Sequence, residues 1–158
     1  MKRAIFVAQR DSAETRDLLR EAGDLVDGVD GDLFVLHVMP EAEYEERAES
    51  RRESGALEKN GGEYSTFPIT EAETAARDFA EELGEDVLGG HPVEWEPIGT
   101  VGREGRSILE VADDRDVDHL FVVGQRRSPS GKAIFGDLAQ RLIIEFDGPV
   151  TTVLPDVR

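Results

Sequence analysis

Hydrophobic positions fall into two kinds of pattern along the chain. Short, unbroken apolar stretches recur at 4–8 (AIFVA), within 32–39 (DLFVLHVM) and at 120–123 (LFVV). Each is too continuous for a half-exposed strand and too short for a helix, so each reads as a strand buried on both faces, the habit of parallel sheets. Residues 150–154 (VTTVL), from Val150 to a final Leu154, supply another strand. Residues 92–101 (PVEWEPIGTV) alternate Val93, Trp95 and, past Pro97, Ile98. A strand interrupted by proline suits a sheet edge, where a missing N–H costs no ladder bond.

Between these runs the period lengthens. Leu18, Leu19, Ala22, Leu25 and Val26 are spaced as one helix face, stopped near Gly28. Asp11 and Ser12 precede them with N-cap oxygens, and Glu14 stands in capping-box position after Asp11. Ala72, Ala75, Ala76, Phe79, Leu83 and Val87 predict a second helix whose small residues allow close approach to a sheet, with Thr70 and Glu73 as a second capping box. A glycine-rich turn over 102–107 leads into a short helix carrying Ile108, Leu109, Val111 and Ala112. The last helix, 138–146, carries Leu138, Leu142 and Ile143 and stops at Asp147-Gly148-Pro149. Five strands thus alternate strictly with four helices, which predicts a parallel sheet covered on both faces by right-handed crossovers. Residues 41–63 differ in kind. They are mostly charged, lack apolar periodicity and run into Asn60-Gly61-Gly62, and so read as a solvated helical or mobile excursion, either a lid or an insertion outside the core.

The stretch VDHLFVVGQRRSPSGKAIFGD, 117–137, holds the strongest candidate chemistry. A strand ends at Gly124, a loop with Arg126, Arg127, Pro129, Gly131 and Lys132 follows, and Gly136 and Asp137 open a helix. Ligands of open α/β sheets bind beyond the carboxyl ends of the strands, and a helix N-terminus attracts anions. The winding also brings Arg10, after the first strand, and Arg103 and Arg106, near the Gly102 turn, towards the same crevice. Six cations converging there predict an anion site. The bland counterpart is that each arginine pairs with a nearby surface carboxylate at about 0–1 kcal/mol.

Composition sharpens this. The 158 residues suffice for one domain, taken as 1–158. The 35 acidic against 18 basic side chains give a net charge of −17, with Lys only at Lys2, Lys59 and Lys132. No basic face of useful size can be assembled, which argues against nucleic acid as a partner. The surplus predicts a halophilic protein, because screening reaches within about 3 Å at 1 M salt and relieves self-repulsion. Cysteine is absent, so thiolate chemistry is excluded. No apolar run approaches a membrane span, and 4–8 is too short for a signal core, so the expectation is a cytoplasmic protein without membrane contact. His37, His91 and His119 form no metal constellation, no Gly-x-Ser-x-Gly elbow occurs, and Gly131-Lys132 lacks the Ser/Thr of a phosphate loop. Gln9 and Arg10 stand where a response-regulator receiver needs acids. With no general base and no metal set, the chain reads as a non-enzyme.

The chain resembles the universal stress protein family over nearly its whole length: IFVAQRDSAETR at the first strand and turn, LHVM in the second strand, ILEVADDRDVDHLFVVG, the glycine loop, and a terminal GPVTTVL. The resemblance implies a three-layer α/β sandwich, a Rossmann-like, adenine-nucleotide alpha-hydrolase-like fold with a five-stranded parallel sheet. It implies ATP phosphates held on a G-x2-G-x9-G-[ST] loop, an Asp at the end of strand one near adenine and ribose, and a homodimer paired through the last strand, 150–154. Gly124 and Gly136 match the first and last glycines. The loop is one residue shorter than the motif, Arg127 stands at the second glycine, Asp137 replaces the Ser/Thr, and Arg10 replaces the Asp. The ligand-binding set implied is Arg10, Gly124, Arg126, Arg127, Gly131, Lys132 and Gly136, with ATP or another small anion as ligand. Arg10 and Arg127 suit carboxylate or phosphate through paired hydrogen bonds, and Asp137 suits capping of the last helix. The alternative is a dimeric stress-response protein that binds no nucleotide and acts through partners.

Overall fold

A computed structural model of the chain describes residues 1–55, 67–125 and 135–155. In chain order the elements are β1 (Arg3–Val7), α1 (Ala13–Gly28), β2 (Asp32–Pro40), α2 (Glu41–Gly55), α3 (Ile69–Leu88), β3 (Glu94–Gly102), α4 (Glu104–Asp114), β4 (His119–Val123), α5 (Asp137–Glu145) and β5 (Val150–Val153). The five strands form one parallel sheet in the order β3-β2-β1-β4-β5. The central strands β1 and β4 are apolar on both faces because both faces are covered. Ala4, Phe6, Leu33, Val35 and Phe121 pack with α1 and α3 on one side. Ile5, Val7, Leu36, Leu120 and Val122 pack with α4 and α5 on the other. The architecture is therefore a three-layer α/β sandwich with helices on both faces of the sheet.

Two positions bring α3 close to the sheet. A Cβ at Gly99 in β3 would lie inside contact distance of the Arg77 and Glu73 backbone, and a Cβ at Gly84 would enter the Trp95 ring. With Ala72, Ala76 and Ala80 buried along the same helix, α3 lies directly on the strands. Pro97 falls in β3, opposite Val35, at the sheet edge where its missing N–H is harmless.

Several local expectations need correction. Among the described residues there are five helices, because α2 and α3 both lie between β2 and β3 and break the strict alternation. The described part of the charged excursion is α2, and it contributes to the interior: Tyr44 and Ala48 pack against Met39, Phe67, Ala72 and Ala76. Two apolar residues a turn apart suffice to dock a helix that is otherwise charged. Residues 56–63 of that excursion lie outside the described residues. Neither capping box forms. Ser12 is the N-cap of α1, its Oγ accepting from Thr15 N at 3.1 Å, while Asp11 turns outward and accepts from Arg16 Nε at 2.8 Å. Pro68 is the N-cap of α3 and makes no side-chain cap bond, so Thr70 already lies inside the helix. The turn expected over 102–107 is mostly the first turn of α4. Leu25 is exposed, outside the buried stripe of α1.

Candidate ligand-binding site

The sheet is wound outward in both directions from the junction of β1 and β4. Chain connections run from β1 to β2 and β3 on one side and from β4 to β5 on the other. Crevices open at such a switch point, beyond the carboxyl ends of the strands. A cleft of about 470 Å³ lies there, lined by Val7, Gln9 and Arg10 after β1 and by Val122 to Gln125 at the end of β4. Ser12, Glu14 and Thr15 of the α1 start, Glu104 of α4, and Phe135 to Ala139 at the start of α5 complete the wall with Pro155. Its lining mixes apolar residues, among them Val7, Val122 and Phe135, with polar ones, the usual constitution of a small-molecule site.

Two glycines shape the wall. Gln125 N donates to Phe135 O at 2.9 Å, and Gly124 N donates to Val153 O of β5 at 2.9 Å. A Cβ at Gly124 would come within 3.0 Å of Phe135 O and 2.8 Å of Leu154 Cδ2. Gly136 has φ +87°, a left-handed conformation that favours glycine, and it is the N-cap of α5. The backbone conformation thus favours glycine at 136, and at 124 an added Cβ would press on Phe135 O and Leu154.

Three helix N-termini, of α1, α4 and α5, face the cleft, and each carries an acid in its first turn: Glu14, Glu104 and Asp137. That placement is favourable to each helix dipole. Asp137 is the first residue of α5, after the N-cap Gly136. Gln9 organises the other wall. Its Oε1 accepts from Val38 N at 2.7 Å, and its Nε2 donates to Val38 O at 2.8 Å and to Glu104 Oε2 at 2.8 Å.

Of the residues anticipated from sequence, the structure brings Arg10, Gly124 and Gly136 together in this cleft. Arg126, Arg127, Gly131 and Lys132 lie outside the described residues. Arg103 and Arg106 do not line the cleft. Arg103 reaches Glu41 at 3.7 Å, and Arg106 reaches Glu110, one turn along the exposed face of α4, at 3.7 Å. Arg10 makes no ion pair among the described residues, whereas nine other arginines do. Gln9 was noted from sequence only as a departure from receiver chemistry, and Glu104 and Gln125 were not singled out. Their only signal is position, directly after β1, β3 and β4.

The histidines have separate structural roles. His37 Nδ1 donates to Ala8 O at 2.6 Å, since a carbonyl can only accept, and its ring packs against Phe79 with centroids 4.3 Å apart. Burial pushes its pKa below the usual histidine range, against opposing pulls from that hydrogen bond and from Glu43 and Glu104. His119 bonds Thr151 Oγ1 at 2.7 Å and is likewise lowered, chiefly by burial. His91 sits between Asp24 and Val93 N. Among the described residues no group of three or more His, Asp or Glu could hold a metal ion.

A parallel five-stranded sheet with its cleft at the β1/β4 switch point defines a Rossmann-like α/β protein. The model of the "Universal stress protein family" matches residues 1–153, and the chain belongs to that family. A universal stress protein of Mycolicibacterium smegmatis is 35% identical over 60 residues, which are 38% of this chain and 45% of that protein. The alignment thus spans about half of that relative's length. The structure of a universal stress protein from Archaeoglobus fulgidus superposes with a TM-score of 0.64 at 20% identity, covering 96% of this chain and 98% of that one. A structure of the universal stress protein from the same organism in complex with dAMP gives 0.59 at 17% identity, covering 96% and 97%. No helix among the described residues is long and apolar enough to cross a membrane.

Proposed function

We propose that this chain is a stress-response binding module that holds an adenine nucleotide, or another small organic phosphate, in the cleft at the ends of β1 and β4. The observation that carries this reading is Arg10. In a chain of net charge −17 with 35 acidic side chains, this exposed arginine is among the residues lining the cleft and has no carboxylate partner among the described residues. An anion is the natural partner for a cation kept free at such a place, and guanidinium binds phosphate through two parallel bonds. The helix N-termini add their dipoles. The basic loop residues Arg126, Arg127 and Lys132 follow Gln125 in sequence, and the relative that binds dAMP shares the fold. Arg127 and Asp137 at motif positions favour a monophosphate over ATP, because Asp137 sets an anion beside the place where a polyphosphate would lie.

The second reading is a dimeric interaction protein that takes no nucleotide. Glu14, Glu104 and Asp137 among the residues lining the cleft favour it, since carboxylates oppose an incoming polyanion. In either case the protein acts as a single cytoplasmic domain without catalysis, is adapted to high salt, and pairs through the free edge of β5. Calorimetric titration with AMP and ATP in molar KCl separates the two. Saturable binding that is lost in Gly136→Arg supports the first reading, and silence with both nucleotides supports the second.

A further inference from the structure

We propose that Glu104 is the residue that selects hydroxyl groups on the ligand; this rests on the cleft being a binding site for an organic phosphate. The inference follows from which atoms of the wall are already committed. Val38 is fully buried, and its N–H and C=O both turn to Gln9. An N–H must meet an oxygen and a carbonyl must meet an N–H, so the Gln9 amide has one orientation only. Its two N–H hydrogens are then used, one on Val38 O and one on Glu104 Oε2. Gln9 has no donor left for a ligand. Its effect is to fix the direction of Glu104.

Glu104 is held by one oxygen. Its Oε1 makes no hydrogen bond among the described residues, and Glu104 is among the residues that line the cleft. A carboxylate only accepts. Whatever meets Oε1 must therefore bring an O–H or N–H donor; a phosphate oxygen or a carbonyl is repelled. Arg10, in the same cleft, has the opposite character and only donates. The two line one cleft yet do not pair with each other among the described residues. A fixed acceptor and a separate free donor complement a molecule that carries an anionic group at one place and hydroxyls at another. A phosphorylated sugar has this arrangement, and the ribose diol of a nucleoside monophosphate supplies it. A pre-oriented carboxylate discriminates strongly, because an analogue without the hydroxyls leaves it desolvated and unpaired.

The test is calorimetric titration of the full chain in molar KCl with AMP and with 2′,3′-dideoxyadenosine monophosphate. The parent protein should bind AMP about tenfold or more tightly than the dideoxy analogue. Glu104→Ala should abolish that preference by weakening AMP alone, and Gln9→Leu, which frees the Glu104 carboxylate to swing, should reduce it. Equal weakening of both ligands in Glu104→Ala, or a parent that binds both equally, overturns the role of Glu104 and leaves the anion site standing. A parent that binds neither overturns the site itself and this inference with it.

Discussion

The side-chain amide of Gln9 pairs with the backbone of Val38, accepting from its N–H at 2.7 Å and donating to its C=O at 2.8 Å. The last backbone bond between β1 and β2 is Ala8 N to Leu36 O. Beyond it the chain turns towards the cleft, and the side chain supplies the rung that the backbone vacates. Gln9→Leu leaves both groups of a fully buried residue unpaired. Urea unfolding should show a loss of about 1–3 kcal/mol; an unchanged midpoint would mean that water replaces the amide.

Two glycines, one in the contact between α3 and β3 and one at the end of α1, predict opposite outcomes. Gly99→Ala must push the Arg77 and Glu73 backbone away from the sheet, and a melt should register about 1–3 kcal/mol of destabilisation. Gly28 ends α1 with nothing within 4 Å of a new Cβ. Gly28→Ala should leave the melt unchanged or raise it, gaining up to about 1 kcal/mol of helix propensity.

His37 predicts a pH dependence of known sign. Burial lowers its pKa in the folded protein from 6.5, so below that value the unfolded chain binds the additional proton. The stability associated with keeping it neutral is complete above about pH 6.5 and is lost as pH falls towards the folded pKa. His119 shifts the same way and adds to the slope. Urea midpoints measured between pH 7.5 and 5.5 should fall, and His37→Gln should flatten the decline. A slope identical in the variant would assign the effect elsewhere.

The strand β5 has one neighbour, β4, and its other edge is open in the sheet order. An open edge of Val150, Thr151, Thr152 and Val153 invites a second copy. Light scattering in molar KCl should give a dimer for the parent protein and a monomer for Val153→Asp. A monomeric parent would contradict pairing through this edge.

The sheet was legible in the sequence because strands buried on both faces leave unbroken apolar runs, as in AIFVA and LFVV, and Pro97 marked the edge. The α2 contribution was not, because among its described residues the apolar side chains packed on the core are Tyr44 and Ala48, too few for a periodic signal. Capping was legible in part: Ser12 caps α1 as its oxygen suggested, while Asp11 and Thr70 carry equally suitable oxygens and only the backbone path decides which one faces the free N–H groups. At the site, Gly124 and Gly136 were readable as motif glycines and Arg10 as a charge out of place. Gln9 and Glu104 were hidden, since their pairing joins residues 95 positions apart. Arg103 and Arg106 misled because proximity to a glycine turn does not say which way a helix will aim them.

The central claim is that the β1/β4 cleft is the ligand site and that Arg10 anchors an anion there. A titration of ¹⁵N-labelled protein with AMP in molar KCl tests it directly. The account predicts saturable amide shifts concentrated at Gln9, Arg10, Gly124, Gln125 and Gly136, and their loss in Arg10→Ala with the rest of the spectrum preserved. Shifts centred on other elements, or the same pattern undiminished in Arg10→Ala, would contradict it.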